Sequence, residues 1–136
     1  MTERTDAALR AHITDDPWAR HLGVEFLELG EGRCRVAARL QPHMVNFQGN
    51  PHGAVIFALA DIAFGAACNS HGVASVALTM TIQFLRAAAP NARLIADADT
   101  RRQGRTAGFY DVTVTTEDGA EVARVQAVAH RLAPQA

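Results

Sequence analysis

Apolar and polar positions alternate with a period of two along Ser75–Leu85. Val76, Leu78, Met80, Ile82 and Phe84 fall on one side, and Ser75, Ala77, Thr79, Thr81 and Gln83 on the other. That period predicts a strand with an inward apolar face and a mild, hydroxyl-rich opposite face. Arg33–Leu40 alternates in the same way, with Cys34, Val36, Ala38 and Leu40 against Arg33, Arg35, Ala37 and Arg39. Gly30-Glu31-Gly32 joins it to Val24–Leu29 as a hairpin whose arginine face is solvated. Leu94–Thr100, Thr106–Thr116 and Ala120–Leu132 read as three more strands. The connections are Arg101–Arg105 and the Asp-Gly turn at Glu117-Asp118-Gly119.

One stretch breaks the alternation. Ala54 to Cys68 is almost wholly apolar and rich in alanine, with the length of a helix rather than a strand. Being apolar nearly all round, it predicts a buried central helix, closed at Asn69-Ser70-His71-Gly72 by a glycine in the left-handed conformation. Ahead of the strands, residues 1–13 predict a loose helix. Thr14-Asp15-Asp16-Pro17-Trp18 opens a second short one, with an acidic cap and proline in its first turn, running to Gly23. Trp18 reads as a packing anchor, with a ligand-side role as the alternative.

This order predicts an α+β domain in which an antiparallel sheet wraps one long helix. A single sheet covers only part of an apolar cylinder, and its edge strands need partners. Pairing with a second copy through a sheet edge meets both needs.

Composition narrows the function. With 136 residues and 49% hydrophobic content, the chain has the material for one domain with a core. A net charge of −1 argues against nucleic acid or a membrane surface as partner. No leader-like segment or membrane-spanning run is evident, and Cys34 and Cys68 match no CxxC pattern, which points to a cytoplasmic protein with reduced thiols. The six histidines show no HExxH-type spacing, so neither a metal nor another cofactor is expected.

Two residues of the central stretch suggest chemistry. Gly53 stands at the predicted helix start, where backbone N–H groups lack internal partners and the helix dipole is positive. Glycine lets a ligand oxygen approach that backbone, as an anion or as the oxyanion of an attacked carbonyl. Glycine at a helix entry is also common without any ligand. Asp61 is the only ionisable side chain between Gly53 and Ser70. A carboxylate on a buried apolar helix is costly unless paired, which makes it a candidate base or nucleophile. Their spacing separates the two by ~12 Å along a straight helix. If both act on one carbonyl, a second copy supplies one of them.

Charge clusters once, at Arg101-Arg102-Gln103-Gly104-Arg105. Guanidinium groups grip phosphate oxygens in a fork, although an exposed turn would carry such charge anyway. Arg86, just past the clearest strand, is a further phosphate candidate.

The chain resembles the phenylacetic-acid-degradation (PaaI-type) acyl-CoA thioesterases. The resemblance rests on Asn46, His52-Gly53, Leu59-Ala60-Asp61, Cys68-Asn69-Ser70, Thr81-Ile82-Gln83-Phe84-Leu85-Arg86, Arg102-Gln103-Gly104-Arg105-Thr106 and Gly108-Phe109-Tyr110-Asp111. It spans roughly residues 16–132, within a single domain at 1–136 whose residues 1–20 form a helical extension. It implies a hotdog fold, a homodimer with its active sites at the interface, and a further pairing into a homotetramer. It implies that the Gly53 N–H polarises the thioester carbonyl and that Asp61 of the other subunit activates water or attacks. Asn46 would orient the water or thioester, and His52 would border the site. Arg86, Arg102, Gln103, Gly104 and Arg105 would lie along the CoA nucleotide. Where the family often reads His-Gly-Gly, this chain has Ala54, which keeps its N–H and adds a methyl.

The implied reaction is hydrolysis of phenylacetyl-CoA or a ring-hydroxylated form, with Ile56, Phe57, Phe64 and residues of the second chain walling the acyl pocket. Two other readings remain: an acyl-CoA hydratase or dehydratase using His52 and Asp61, and a non-catalytic acyl-CoA-binding domain.

Overall fold

The computed structural model describes residues 7–132, so residues 1–6 of the predicted N-terminal helix lie outside the description. Two short helices, α1 (Ala7–Thr14) and α2 (Pro17–His21), lead into strands β1 (Glu25–Gly30) and β2 (Arg33–Arg39). A single 3-10 turn at Pro42–Met44 and a loop precede helix α3 (Gly53–Asn69). Strands β3 (Ser75–Phe84), β4 (Arg93–Gln103), β5 (Ala107–Thr116) and β6 (Glu121–Arg131) complete the chain. All pairings are antiparallel and give one six-stranded sheet in the order β1-β2-β4-β5-β6-β3.

The inner face of the sheet follows from register. Phe26, Val36, Ala96, Val114, Ala123 and Phe84 face one another in a row across all six strands. Small and branched residues dominate the middle of that face, which lets α3 settle on it. Ala60, Ala63 and Ala67 are fully buried there, and Phe64 packs edge-on against the Tyr110 ring at 5.5 Å. The outer face of β2 is ionic as expected, with Arg35 paired to Asp97 at 3.0 Å and Arg33 to Glu28 at 3.2 Å. Such exposed pairs contribute little stability each. Cys34 and Cys68 are buried free thiols.

Turn chemistry falls where the sequence placed it. Gly72 (φ +86°) follows the C-terminus of α3 and Gly119 (φ +90°) closes the β5–β6 turn. Asp16 caps α2, accepting hydrogen bonds from the Trp18 and Ala19 N–H groups at 2.9 and 3.0 Å.

Three expectations are corrected. First, α3 is not buried all round: Ala54 and Asp61 are exposed, and Phe57 and Gly65 are half-buried, on successive turns of one uncovered stripe. Second, the alternation of β3, which lies at the sheet edge, is not regular: a bulge between Ala77 and Thr79 breaks it. Ala77 takes the inner register opposite Ala129, while Val76 and Leu78 stay 47% and 64% exposed. Helix α3 touches both ends of β3, through Asn69 bonded to Ser75 and Gly53 against Phe84, and most of the strand between stays exposed. Third, β4 runs on through Arg101, Arg102 and Gln103, so the turn that was expected to span Arg101–Arg105 is shorter. Arg101 sits at a bulge and pairs with Asp111 at 2.6 Å.

Candidate active site

Helix α3 opens at Gly53 with His52 as its N-cap, and the His52 side chain makes no capping bond. The His52 carbonyl accepts from the Val55 N–H at 3.0 Å. The Gly53 and Ala54 N–H groups meet no acceptor among the described residues. Here the positive end of the dipole and two bare donors face outward. The loop before it is built by its own backbone. Asn46 Oδ1 accepts from the Gln48 and Asn50 N–H groups at 3.0 and 3.1 Å, and the His52 N–H donates to Met44 O at 2.8 Å. Asn46 thus spends its carbonyl on the loop and leaves its amide nitrogen without an acceptor among the described residues. His52 is exposed beside the helix entry.

Gly53 lines a cleft of about 380 Å³ together with Asn50, Ile56, Phe84 and Arg86. A methyl at position 53 would stand 3.2 Å from the Phe84 ring, so the glycine keeps the helix entry open against that side chain. Arg86 therefore shares a cleft with the bare helix end.

Asp61 lies elsewhere. It opens into a separate cleft of about 610 Å³ between α3 and the N-terminal helices, walled by Leu9, Ile13, Trp18 and Phe26. The carboxylate was expected to be buried; within one chain solvent reaches it through this cleft. Its pKa is nevertheless raised above the ordinary carboxylate value, first by the apolar surroundings and then by the nearby negative charge of Asp16. A carboxylate held reluctant to ionise beside an open apolar cleft is suited to accept a proton.

The basic hairpin stands at the other end of the sheet from Arg86. Gln103 pairs with Gly108, which pairs with Ala129, whereas Phe84 pairs with Ala123, so the two ends lie about 20 Å apart along the strands. Arg102 and Arg105 are exposed there. Gln103 turns inward instead: its Oε1 accepts from the Tyr110 hydroxyl at 2.7 Å and its Nε2 donates to Gly104 O at 2.9 Å. The Gly104 N–H closes the turn on Ala107 O at 2.8 Å. One chain thus brings Gly53 together with Arg86, and neither with Asp61 nor with Arg102–Arg105.

The expected acyl-pocket wall also changes. Phe64 is 1% exposed and belongs to the core, and Ile56 lies in the Gly53 cleft. Trp18 is no packing anchor, being 53% exposed on the wall of the Asp61 cleft. Gly65 lines the same cleft, and a Cβ there would meet nothing within 4 Å. The sequence reading passed over Gly65; a glycine in the middle of an otherwise apolar helix is the signal that could have found it.

The sequence profile described as Thioesterase superfamily matches residues 48–123, a span running from the loop before Gly53 into β6. The chain belongs to the thioesterase superfamily. Among characterised members, the acyl-coenzyme A thioesterase PaaI of Escherichia coli is 36% identical over 132 residues, covering 97% of this chain and 94% of that protein. The solved structure of the E. coli PaaI protein from the phenylacetic acid degradation operon superposes with a TM-score of 0.92 at 33% identity, over 98% of this chain and 97% of that one. A mutant phenylacetic acid degradation protein PaaI from Thermus thermophilus gives 0.83 at 33% identity, over 86% of this chain and the whole of that one. The superfamily's hotdog architecture is the helix-and-sheet arrangement described above. Among the described residues, no group of His, Cys, Asp or Glu is placed to hold a metal ion. No helix there is long and apolar enough to cross a membrane.

Proposed function

We propose that the protein hydrolyses acyl-CoA thioesters, phenylacetyl-CoA or its ring-hydroxylated forms, at two equivalent sites shared by a homodimer. One observation carries this reading. Gly53 and Asp61 lie on the same uncovered face of α3 with Phe57 midway between them. When two such helices pack antiparallel about a two-fold axis centred on Phe57, position 53 of one faces position 61 of the other. The ~12 Å that separates the residues within one helix is thereby removed.

The rest of the fold supports the same symmetry. β3 lies at an edge with exposed Val76, Leu78 and Phe84, so its edge invites a second β3. An antiparallel β3 pair reverses the sheet ends, so the hairpin bearing Arg102 and Arg105 of one copy comes to the end that holds Gly53 and Arg86 of the other. Arg86, Arg102 and Arg105 can then grip the phosphates of one CoA, with Gln103 and Gly104 shaping the hairpin. A further pairing of dimers gives the tetramer that the family resemblance implies.

In the reaction, the thioester oxygen sits on the bare N–H groups of Gly53 and Ala54. Asp61 of the other copy takes a proton from water, whose oxygen adds to the carbonyl carbon. Collapse breaks the carbon–sulfur bond, and the thiolate takes up the proton that Asp61 accepted, leaving as CoA and restoring the carboxylate. The Asn46 amide nitrogen and His52 border the same end. Loss of the carboxylate by Asp61→Asn removes the base with little change in shape. Thiol release from phenylacetyl-CoA by the native protein, abolished by Asp61→Asn with the oligomer intact, is the expected result. Equal release by both removes Asp61 from the mechanism.

A further inference from the structure

We infer that the acyl group occupies the cleft between α3 and the N-terminal helices, and that Trp18 and Gly65 select a flat aromatic acyl group there. This rests on the thioester reading above and goes beyond it, because it assigns the acyl chamber to one chain's own N-terminal segment.

Three observations meet at this cleft. Asp61 lines it, so a carbonyl attacked by water from that carboxylate lies beside the cleft and can place its acyl substituent there. One side of it is apolar and partly aromatic, with Leu9 and Ile13 from α1, Trp18 from α2 and Phe26 from β1, while His12, Asp16 and Asn69 add polar groups to the lining. An aromatic ring gains by stacking on or edging against such walls.

Trp18 is exposed yet fixed. Its indole stacks on the His21 ring, with centroids 5.6 Å apart and planes 18° from parallel. The helix that carries it is capped by Asp16 and anchored by buried Ala19 and Leu22. A half-exposed tryptophan stacked on a neighbouring ring at a cleft wall presents an aromatic surface to a second ring.

Gly65 stands one helical turn beyond Asp61. Glycine inside a helix is unfavourable by about 1 kcal/mol against alanine, and usually a close neighbour explains it. Here a Cβ would meet nothing within 4 Å. The space it leaves belongs to the cleft. Without a side chain at 65, the floor beside the carboxylate is deep enough for a ring.

Gly65→Leu tests this, since leucine favours helix and a Cβ at 65 meets nothing within one chain; size-exclusion chromatography showing the native oligomer separates lost selectivity from lost assembly. The ratio of kcat/KM for phenylacetyl-CoA over acetyl-CoA should fall at least about tenfold, with the melting temperature unchanged or raised. Trp18→Ala should lower the same ratio and Trp18→Phe restore most of it. Trp18 is the chain's only tryptophan, so its emission reports occupancy directly: in the Asp61→Asn protein, phenylacetyl-CoA should shift it saturably and CoA alone should not. Thiol release with an unchanged ratio in both variants and a silent Trp18 would place the acyl group elsewhere. A responding Trp18 with no thiol release from any acyl-CoA would keep the chamber and overturn the hydrolase reading. Neither signal would overturn both.

Discussion

Gly53 and Asp61 lie on one uncovered stripe of α3 and open into different clefts of the same chain. A shared site between two copies makes a quantitative forecast. Removing the Gly53 N–H disables one half of each site, and Asp61→Asn disables the other. In a mixed dimer one site carries both lesions and the other carries none. Random assortment of the two inactive proteins should therefore recover about one quarter of native activity, since half the dimers are mixed and each has one working site of two. Co-refolding the variants and assaying thiol release checks this. No recovery would mean that each chain holds a complete site.

The donor itself can be deleted at that position. Proline is tolerated in the first turn of a helix because its missing N–H has no intrahelical role. His52 already has the extended backbone (φ −69°, ψ 133°) that precedes proline comfortably. Gly53→Pro should keep the helix and lower kcat by about 10²–10³, the usual loss for one oxyanion donor. Gly53→Ala retains the N–H and only presses on the Phe84 ring, so it should lose much less. Circular dichroism alongside kcat separates chemistry from folding.

Asp61 ties activity to pH and to stability with opposite signs. Its folded pKa is raised, by its apolar surroundings and then by Asp16. The base works only when ionised, so the raised value shifts the acid limb of kcat/KM upward. Asp16→Asn keeps the cap on α2 but removes a negative charge, and should move that limb to lower pH. The stability sign follows from the same shift. A group whose folded pKa exceeds its unfolded value stabilises the fold below the unfolded value, and that contribution is lost as pH rises through the folded one. Asp61→Asn should therefore raise the melting temperature at pH 7 relative to native and have no such effect near pH 3. Thermal melts at the two pH values give the answer.

Much of this was legible in the chain, and the misses share a cause. Strand periods, the Gly72 and Gly119 turns and the Asp16 cap are local chemistry, and they fell in place. The uncovered stripe through Phe57 and Asp61 looked like core because its neighbours are apolar, and an apolar helix face left open carries the same signature in sequence as one turned to the interior. The alternation of Ser75–Leu85 was similarly ambiguous, since an edge strand facing a partner and a central strand facing a helix share one pattern. Its bulge leaves no mark in the sequence. Arg101 and Arg102 were read as turn because nothing apolar marks an outward-facing strand end. Trp18 and Gly65 could be assigned only once the N-terminal helices had been folded back over α3.

Gly108 offers the last forecast, because it separates a structural role from a ligand role on the basic hairpin. A Cβ at 108 would stand 2.2 Å from Gln103 Oε1 and 2.8 Å from the Tyr110 ring. Both are held: Gln103 accepts the Tyr110 hydroxyl bond, and Tyr110 is 1% exposed against Phe64. Gly108→Ala should then destabilise by about 1–3 kcal/mol, as overpacking does. Gln103→Ala should cost about 0.5–1.5 kcal/mol by removing one of two partners of the Tyr110 hydroxyl, which keeps its hydrogen bond with Thr100, while hardly moving KM for the CoA thioester. Arg105→Ala should do the reverse, raising KM with the denaturation midpoint unchanged. Urea melts and steady-state kinetics on the three variants distinguish these outcomes. A Gln103→Ala protein of native stability and raised KM would return Gln103 to the CoA contacts.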